Sequence, residues 1–301
     1  MAVYKRTYRR YEGALTPAWS RFLVVPRYAF EEMHRSRFLS LFFLASLIFP
    51  LGCAVVIYIA ANLNVLTSVG IQAPTKLNLE LGSGFYLTYL GFQSMLAFFM
   101  ASFIGPGLIS PDLTNNALQL YLARPVSRAE YVLGKASVLM ILLSLMTWIP
   151  GVLLFFFQGY FEGFRWVAGN RRLLLGLFAG SWVWIVVLTL LALALSAWVK
   201  WKPVAGALMF GVFFISTAFG FIVNNTLRTS WGHLINLSNL IGTVWVTLFE
   251  APMHRGAGAV FFRVAPDQTI PAWACLLSLT LISLGCLELL AIKIRGVEVV
   301  K

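Results

Sequence analysis

The chain has 301 residues, of which 59% are hydrophobic and 11% charged, with a mean hydropathy of +0.82. Soluble domains run near half apolar and a quarter charged, so this composition excludes a water-soluble globular protein. The formal charge of +12 does not point to nucleic acid, because eight basic residues precede residue 38 and most others fall between apolar runs, a distribution that sets membrane topology and meets anionic headgroups.

In chain order, residues 1–37 form a basic arm. Its portion from Pro17 to Arg37 interleaves Trp19, Phe22, Leu23, Val24, Val25 and Phe30 with Arg21, Arg27, Arg35 and Arg37. That mixture suits a helix lying at the membrane interface, although its irregular spacing also fits a plain basic tether. Six apolar stretches follow within residues 38–301, each near the 20 or so residues needed to cross about 30 Å of hydrocarbon as a helix. They run over about 38–61, 85–110, 136–157, 173–199, 204–223 and 272–292, and only the last holds a formal charge, Glu288. The first stretch follows a long polar arm and exceeds the roughly 7–15 residues of a signal-peptide core, so it reads as a span. The fold class expected is therefore all-α, a polytopic membrane protein with six transmembrane helices.

With the N-terminus inside, sixteen of the 23 Lys and Arg residues fall on the inner side and seven on the outer. This places both termini in the cytoplasm, and the membrane is taken to be a bacterial inner membrane. The segment from Leu234 to Phe249 has no formal charge, but as a helix it would reach only about 24 Å. Counting it as a span would put Lys293, Arg295 and Lys301 outside, so it reads as a re-entrant or interfacial element on the outer side. Cys53, Cys275 and Cys286 lie inside apolar stretches without metal-ligand spacing and read as buried small hydrophobes. Gly176 and Gly180 form a small-xxx-small pair that would let another helix approach closely.

The connection between the second and third stretches is the most informative. Pro106 and Pro111 oppose continuation of the second helix, Asp112 is placed to cap a new one, and Pro125 opposes helix at Arg124. A short helix is expected over about Leu113 to Ala123, and Ser127 with Glu130 forms a capping box at the start of the third span. The short helix carries Leu113, Ala117, Leu118, Leu120, Tyr121 and Leu122 on the expected cytoplasmic side. Patterning fits a helix lying on the bilayer as well as one docked on a protein.

The order of an acid at Asp112, a leucine-rich helix, Arg124-Pro125-Val126-Ser127-Arg128, then Gly134-Lys135 entering a span resembles the type-2 ABC transporter permease family. The six spans, basic amphipathic start, short loop after the fourth span and outer element before the sixth are similar to that family as well. The resemblance implies that residues 112–124 are a coupling helix docked on a separate ATP-binding-cassette ATPase, with contacts from Asp112, Leu113, Asn116, Ala117, Leu118, Leu120, Tyr121, Leu122 and Arg124. Pro125, Ser127, Arg128 and Glu130 would hold that helix against the third span. It also implies a second permease, identical or related, with ATP and Mg bound by the ATPase and no cofactor bound by this chain. The family more often has glutamate where this chain has Asp112.

No P-loop is present: Gly134-Lys135 lacks the glycine five positions before Gly134 and continues into Ala136. His34, His233 and His254 have no ligand-spaced carboxylate or cysteine, and no nucleophile constellation is recognisable. The reading is thus a non-enzymatic permease subunit of an exporter. Two other classes stand beside it, an ion-coupled secondary transporter or channel, which would use midplane acids or broken repeats, and a membrane anchor that does not transport.

Overall fold

A computed structural model describes residues 35–62, 81–115, 127–250 and 270–294, with Pro26, Tyr28 and Phe30, and every regular element among them is a helix. The elements are α1 (Arg37–Ser46), α2 (Ile48–Ala61), α3 (Ser83–Ile104), α4 (Pro106–Thr114), α5 (Arg128–Met146), α6 (Trp148–Glu162), α7 (Phe164–Gly169), α8 (Arg171–Trp198), α9 (Lys202–Leu227), a 3₁₀ turn (Trp231–Leu234), α10 (Leu237–Phe249) and α11 (Ala272–Lys293). Joined end to end, they give six stretches long and apolar enough to cross a membrane: Arg37–Ala61, Ser83–Thr114, Arg128–Glu162, Arg171–Trp198, Lys202–Leu227 and Ala272–Lys293. These are spans one to six below.

Spans two, three and four are mostly buried, whereas only a minor part of one, five and six is buried. The core forms around α8, where Trp184, Leu188 and Leu193 are fully buried. Without a strong hydrophobic drive between helices in lipid, packing and interhelical hydrogen bonds must hold the spans together. The Trp184 indole donates to the Ser94 carbonyl on span two at 3.2 Å, and the Tyr86 hydroxyl donates to Gln158 Oε1 on span three at 2.8 Å.

Spans one to three are each broken, and proline is at or near each break. Pro50 lacks the N–H that Ser46 O would accept in a regular helix, and Gln93 Nε2 of span two donates to that carbonyl at 3.1 Å. Near Pro150 the backbone turns at Thr147 (φ −105°, ψ −85°), whose carbonyl accepts from the Tyr89 hydroxyl at 2.8 Å. Span two thus supplies donors to both of its broken neighbours, four residues apart on one face of α3.

The second span does not end where its prolines predict. Pro106 opens α4 as a first-turn residue, where its missing N–H costs nothing, and Pro111 lies inside the helix. The ladder there is already opened by Ser196 of span four, whose hydroxyl accepts from the Ile109 and Ser110 amides, each at 3.0 Å, and donates to Pro106 O at 2.9 Å. A serine from another helix thus bridges Pro106 O and the Ser110 amide, which would bond each other in a regular helix, and opens the ladder at the kink.

After α9 the chain turns at Arg228 in the left-handed region (φ 48°) and doubles back along span five, where Thr217 Oγ1 and Asn236 Oδ1 lie 3.1 Å apart. Thr217 is about 15 Å in from the end of α9 at 1.5 Å per residue. Helix α10 then runs outward for about 20 Å to Glu250, which pairs with Arg172 at the start of span four, Nη1 to Oε1 2.6 Å. The excursion enters and leaves at one end of the bundle. Cys53, Cys275 and Cys286 are buried and unpaired, and no group of metal-ligating side chains occurs among the described residues.

Candidate functional site

At the opposite end of the bundle, the end of span two meets the start of span three. Ser127 adopts extended backbone (φ −70°, ψ 159°), and its hydroxyl accepts from the Glu130 amide at 3.2 Å. Glu130 Oε2 in return accepts from the Ser127 amide at 2.7 Å. This reciprocal pair satisfies two amides that a helix start leaves unpaired, and it sets where span three begins.

One turn and two turns further on, Tyr131 and Lys135 project from the same face of α5. Both reach Asp112, with Lys135 Nζ 2.7 Å from Oδ2 and the Tyr131 hydroxyl donating to Oδ2 at 2.7 Å. Lys135 also lies 5.7 Å from the centre of the Tyr131 ring. The ion pair is largely shielded, with 12% of the lysine and 16% of the aspartate side chain exposed. Shielding strengthens the attraction and raises the cost of losing either partner.

Asp112 therefore does not cap a new helix, contrary to the sequence expectation. It sits in the last turn of α4, which closes at Asn115 (φ −93°, ψ 9°), and it faces span three. Leu113 belongs to the same turn and packs against the core. The expected start of a short helix at Leu113 is corrected accordingly, because the helix arriving from Pro106 runs through that position. Asn116, Ala117, Leu118, Leu120, Tyr121, Leu122, Arg124 and Pro125 lie outside the described residues. Arg128 is the exposed first residue of α5.

A second attachment fixes the same end of span two to span four. Besides the Ser196 hydroxyl in the α4 ladder, the Ser110 hydroxyl donates to Lys200 O at 2.6 Å. Gly105 makes the approach possible: a Cβ there would lie 2.7 Å from Ala192 Cβ, closer than such atoms come. The eleven residues 116–126 are thus bracketed in sequence by a helix end pinned to span four and span three, and by a helix start fixed by its own cap.

Of the residues read from sequence, Asp112, Ser127 and Glu130 come together here with Tyr131, Lys135, Ser110 and Ser196, which the sequence reading did not assign to the site. The spacing of Tyr131 and Lys135 beside an acid-bearing helix end is a signal that could have found them. Ser196 carries no such signal, being one small residue in an apolar helix. A family model described as ABC-2 family transporter protein matches residues 29–281 of the chain. No curated protein matches it.

Proposed function

The chain belongs to the ABC-2 transporter family, so it is a multi-pass membrane permease subunit of an ABC-type transporter, and we propose that residues 112–124 receive the work of a separate ATPase. Members of this family are membrane subunits that partner an ABC ATPase and are not ATPases themselves. The observation that carries the proposal is the anchorage of the segment's flanks. A push on residues 113–124 would reach span two through Asp112 and Ser110, span three through Tyr131 and Lys135, and span four through Ser196.

In this reading ATP and Mg bind the partner, and closure of two ATPase subunits moves the segment in each of two paired permeases. ATP must bind the closed arrangement better for that movement to follow, since a ligand shifts an equilibrium only through differential affinity. The direction is export. The membrane is a bacterial inner membrane, the Asp112 end is cytoplasmic, and α10 is a re-entrant element on the outer side. An ion-driven carrier is less well supported, because the described acids, Asp112, Glu130, Glu162, Glu250 and Glu288, all lie within about two turns of a helix end.

The test is capture of the ATPase by the solubilised permease, with Leu118→Asp and Leu122→Asp combined as the docking variant. Loss of the ATPase with the permease still folded is the expected result. Equal capture by the variant and the native chain would overturn the docking assignment.

A further inference from the structure

The geometry points to span four as a rigid strut that carries movement from the docking segment to α10 at the far end of the bundle, with Ser196 and Trp245 as its positioning residues. This rests on the docking role proposed above for residues 112–124. Helix α8 runs unbroken for 28 residues, about 42 Å, and it is the most buried of the six spans. Spans one, two and three are interrupted at Leu47, Gly105 and Thr147, so they are poorly built to transmit a push along their whole length.

Both ends of the strut are fastened. At the Asp112 end, Ser196 holds three backbone groups of α4, and Ala192 presses on Gly105. At the other end α8 receives α10 in antiparallel register, four residues against four. The Phe249 ring lies over Gly176 and the Trp245 ring over Gly180, where an added Cβ would come within 3.2 Å and 3.1 Å of the rings. The Trp245 indole donates to Gly180 O at 2.9 Å, and Arg172 pairs with Glu250 at 2.6 Å. The small-xxx-small pair of span four therefore seats two aromatic anchors of a short helix, with Leu90 of span two also close at Gly180.

Ser196 and Gly180 are sixteen residues apart, about 24 Å along the helix axis. A tilt or shift of α8 imposed at Ser196 must displace α10, because Trp245 is fully buried against it. The start of the excursion is held differently, through Asn236 beside Thr217 and Gly232 against Gly220 on span five. Displacing span four relative to span five would therefore bend the excursion about the residues between Gly232 and Leu237. That bending gives α10 a way to open or close the far end of the bundle when the near end moves.

The experiment uses the full permease with its ATPase in lipid nanodiscs, without nucleotide and with ATP trapped by a hydrolysis-dead ATPase. Pulsed dipolar spectroscopy reads two label pairs placed on exposed positions, Leu133→Cys with Leu208→Cys for the near end and Val55→Cys with Thr247→Cys for the far end. Both distances are expected to shift by about 2 Å or more on trapping, the scale of helix displacements in switching proteins. In Trp245→Phe and in Gly180→Leu, the near-end shift is expected to remain and the far-end shift to fall to less than half.

A near-end shift without a far-end shift in the native chain would overturn the strut alone. So would a far-end shift that survives both variants. Absence of both shifts would overturn the docking reading and the strut with it. Trp245→Phe keeps an aromatic side chain but loses the indole N–H and the five-membered ring that lies over Gly180, so it tests the junction even where Gly180→Leu fails to fold.

Discussion

Asp112 offers one carboxylate oxygen to an ammonium and a phenol from the same face of span three, which ties its charge to the position of a neighbouring helix. Removing one partner of a shielded pair leaves the other charge without compensation. Asp112→Ala or Lys135→Met alone is expected to lower unfolding free energy by roughly 1–3 kcal/mol, below the fully buried range because both side chains keep some exposure. Combining Asp112→Lys with Lys135→Asp should restore more than half of that loss in a denaturant titration of the purified protein. A swapped protein that loses as much stability as Asp112→Lys and Lys135→Asp lose singly, added together, would mean that the two groups do not act on one another.

Gln93 and Pro50 give a second cycle at this scale. The amide nitrogen of Gln93 occupies the Ser46 carbonyl that Pro50 leaves unpaired. Pro50→Ala returns an N–H to that carbonyl, so it should be better tolerated in a Gln93→Leu background than in the native chain, by about 1 kcal/mol, the usual net worth of one hydrogen bond. Unfolding measurements on the four proteins of the cycle check this, and equal effects in both backgrounds would count against the assigned role of Gln93.

Among the elements, the start of span three depends on the Ser127 and Glu130 pair. Ser127→Ala should destabilise that helix end by about 1 kcal/mol. Faster amide exchange is expected over residues 128–131, while residues 138–146 stay protected. The pair was legible from sequence because a capping box is a local pattern whose atoms are three residues apart. The six spans were legible for a similar reason, since lipid demands long runs of apolar residues and those runs stand out.

The path of span two was not legible in the same way. Pro106 and Pro111 locally oppose a continuing helix, and the group that permits it, the Ser196 hydroxyl, comes from about ninety residues along the chain. Local sequence places Asp112 at a helix start, because helix-start chemistry reads from neighbouring residues, whereas its partners lie nineteen and twenty-three positions away. The spacing of Gly176 and Gly180 marks a place of close approach, and the structure has one there. Their partners, α10 at both positions and Leu90 of span two at Gly180, are not legible, because glycine spacing records only that something large comes near.

At the scale of the whole molecule, the spans divide by burial and continuity. Spans one and three are broken and take donors from span two, span two is broken and bonded by span four, span four is unbroken and buried, and spans five and six pack at the edge. Such a bundle has a stiff member through its middle and hinges beside it, which suits a permease that is driven from one end. The central claim is that residues 112–124 lie on the cytoplasmic side and take up the force of ATP binding there.

Labelling of Leu120→Cys with a membrane-impermeant thiol reagent tests this most directly, in sealed vesicles of both orientations, with and without the ATPase. The native cysteines are buried and should stay silent. Modification is expected only in inside-out vesicles and should be suppressed when the ATPase is bound. Modification in right-side-out vesicles, or labelling that is indifferent to the ATPase, would contradict the account.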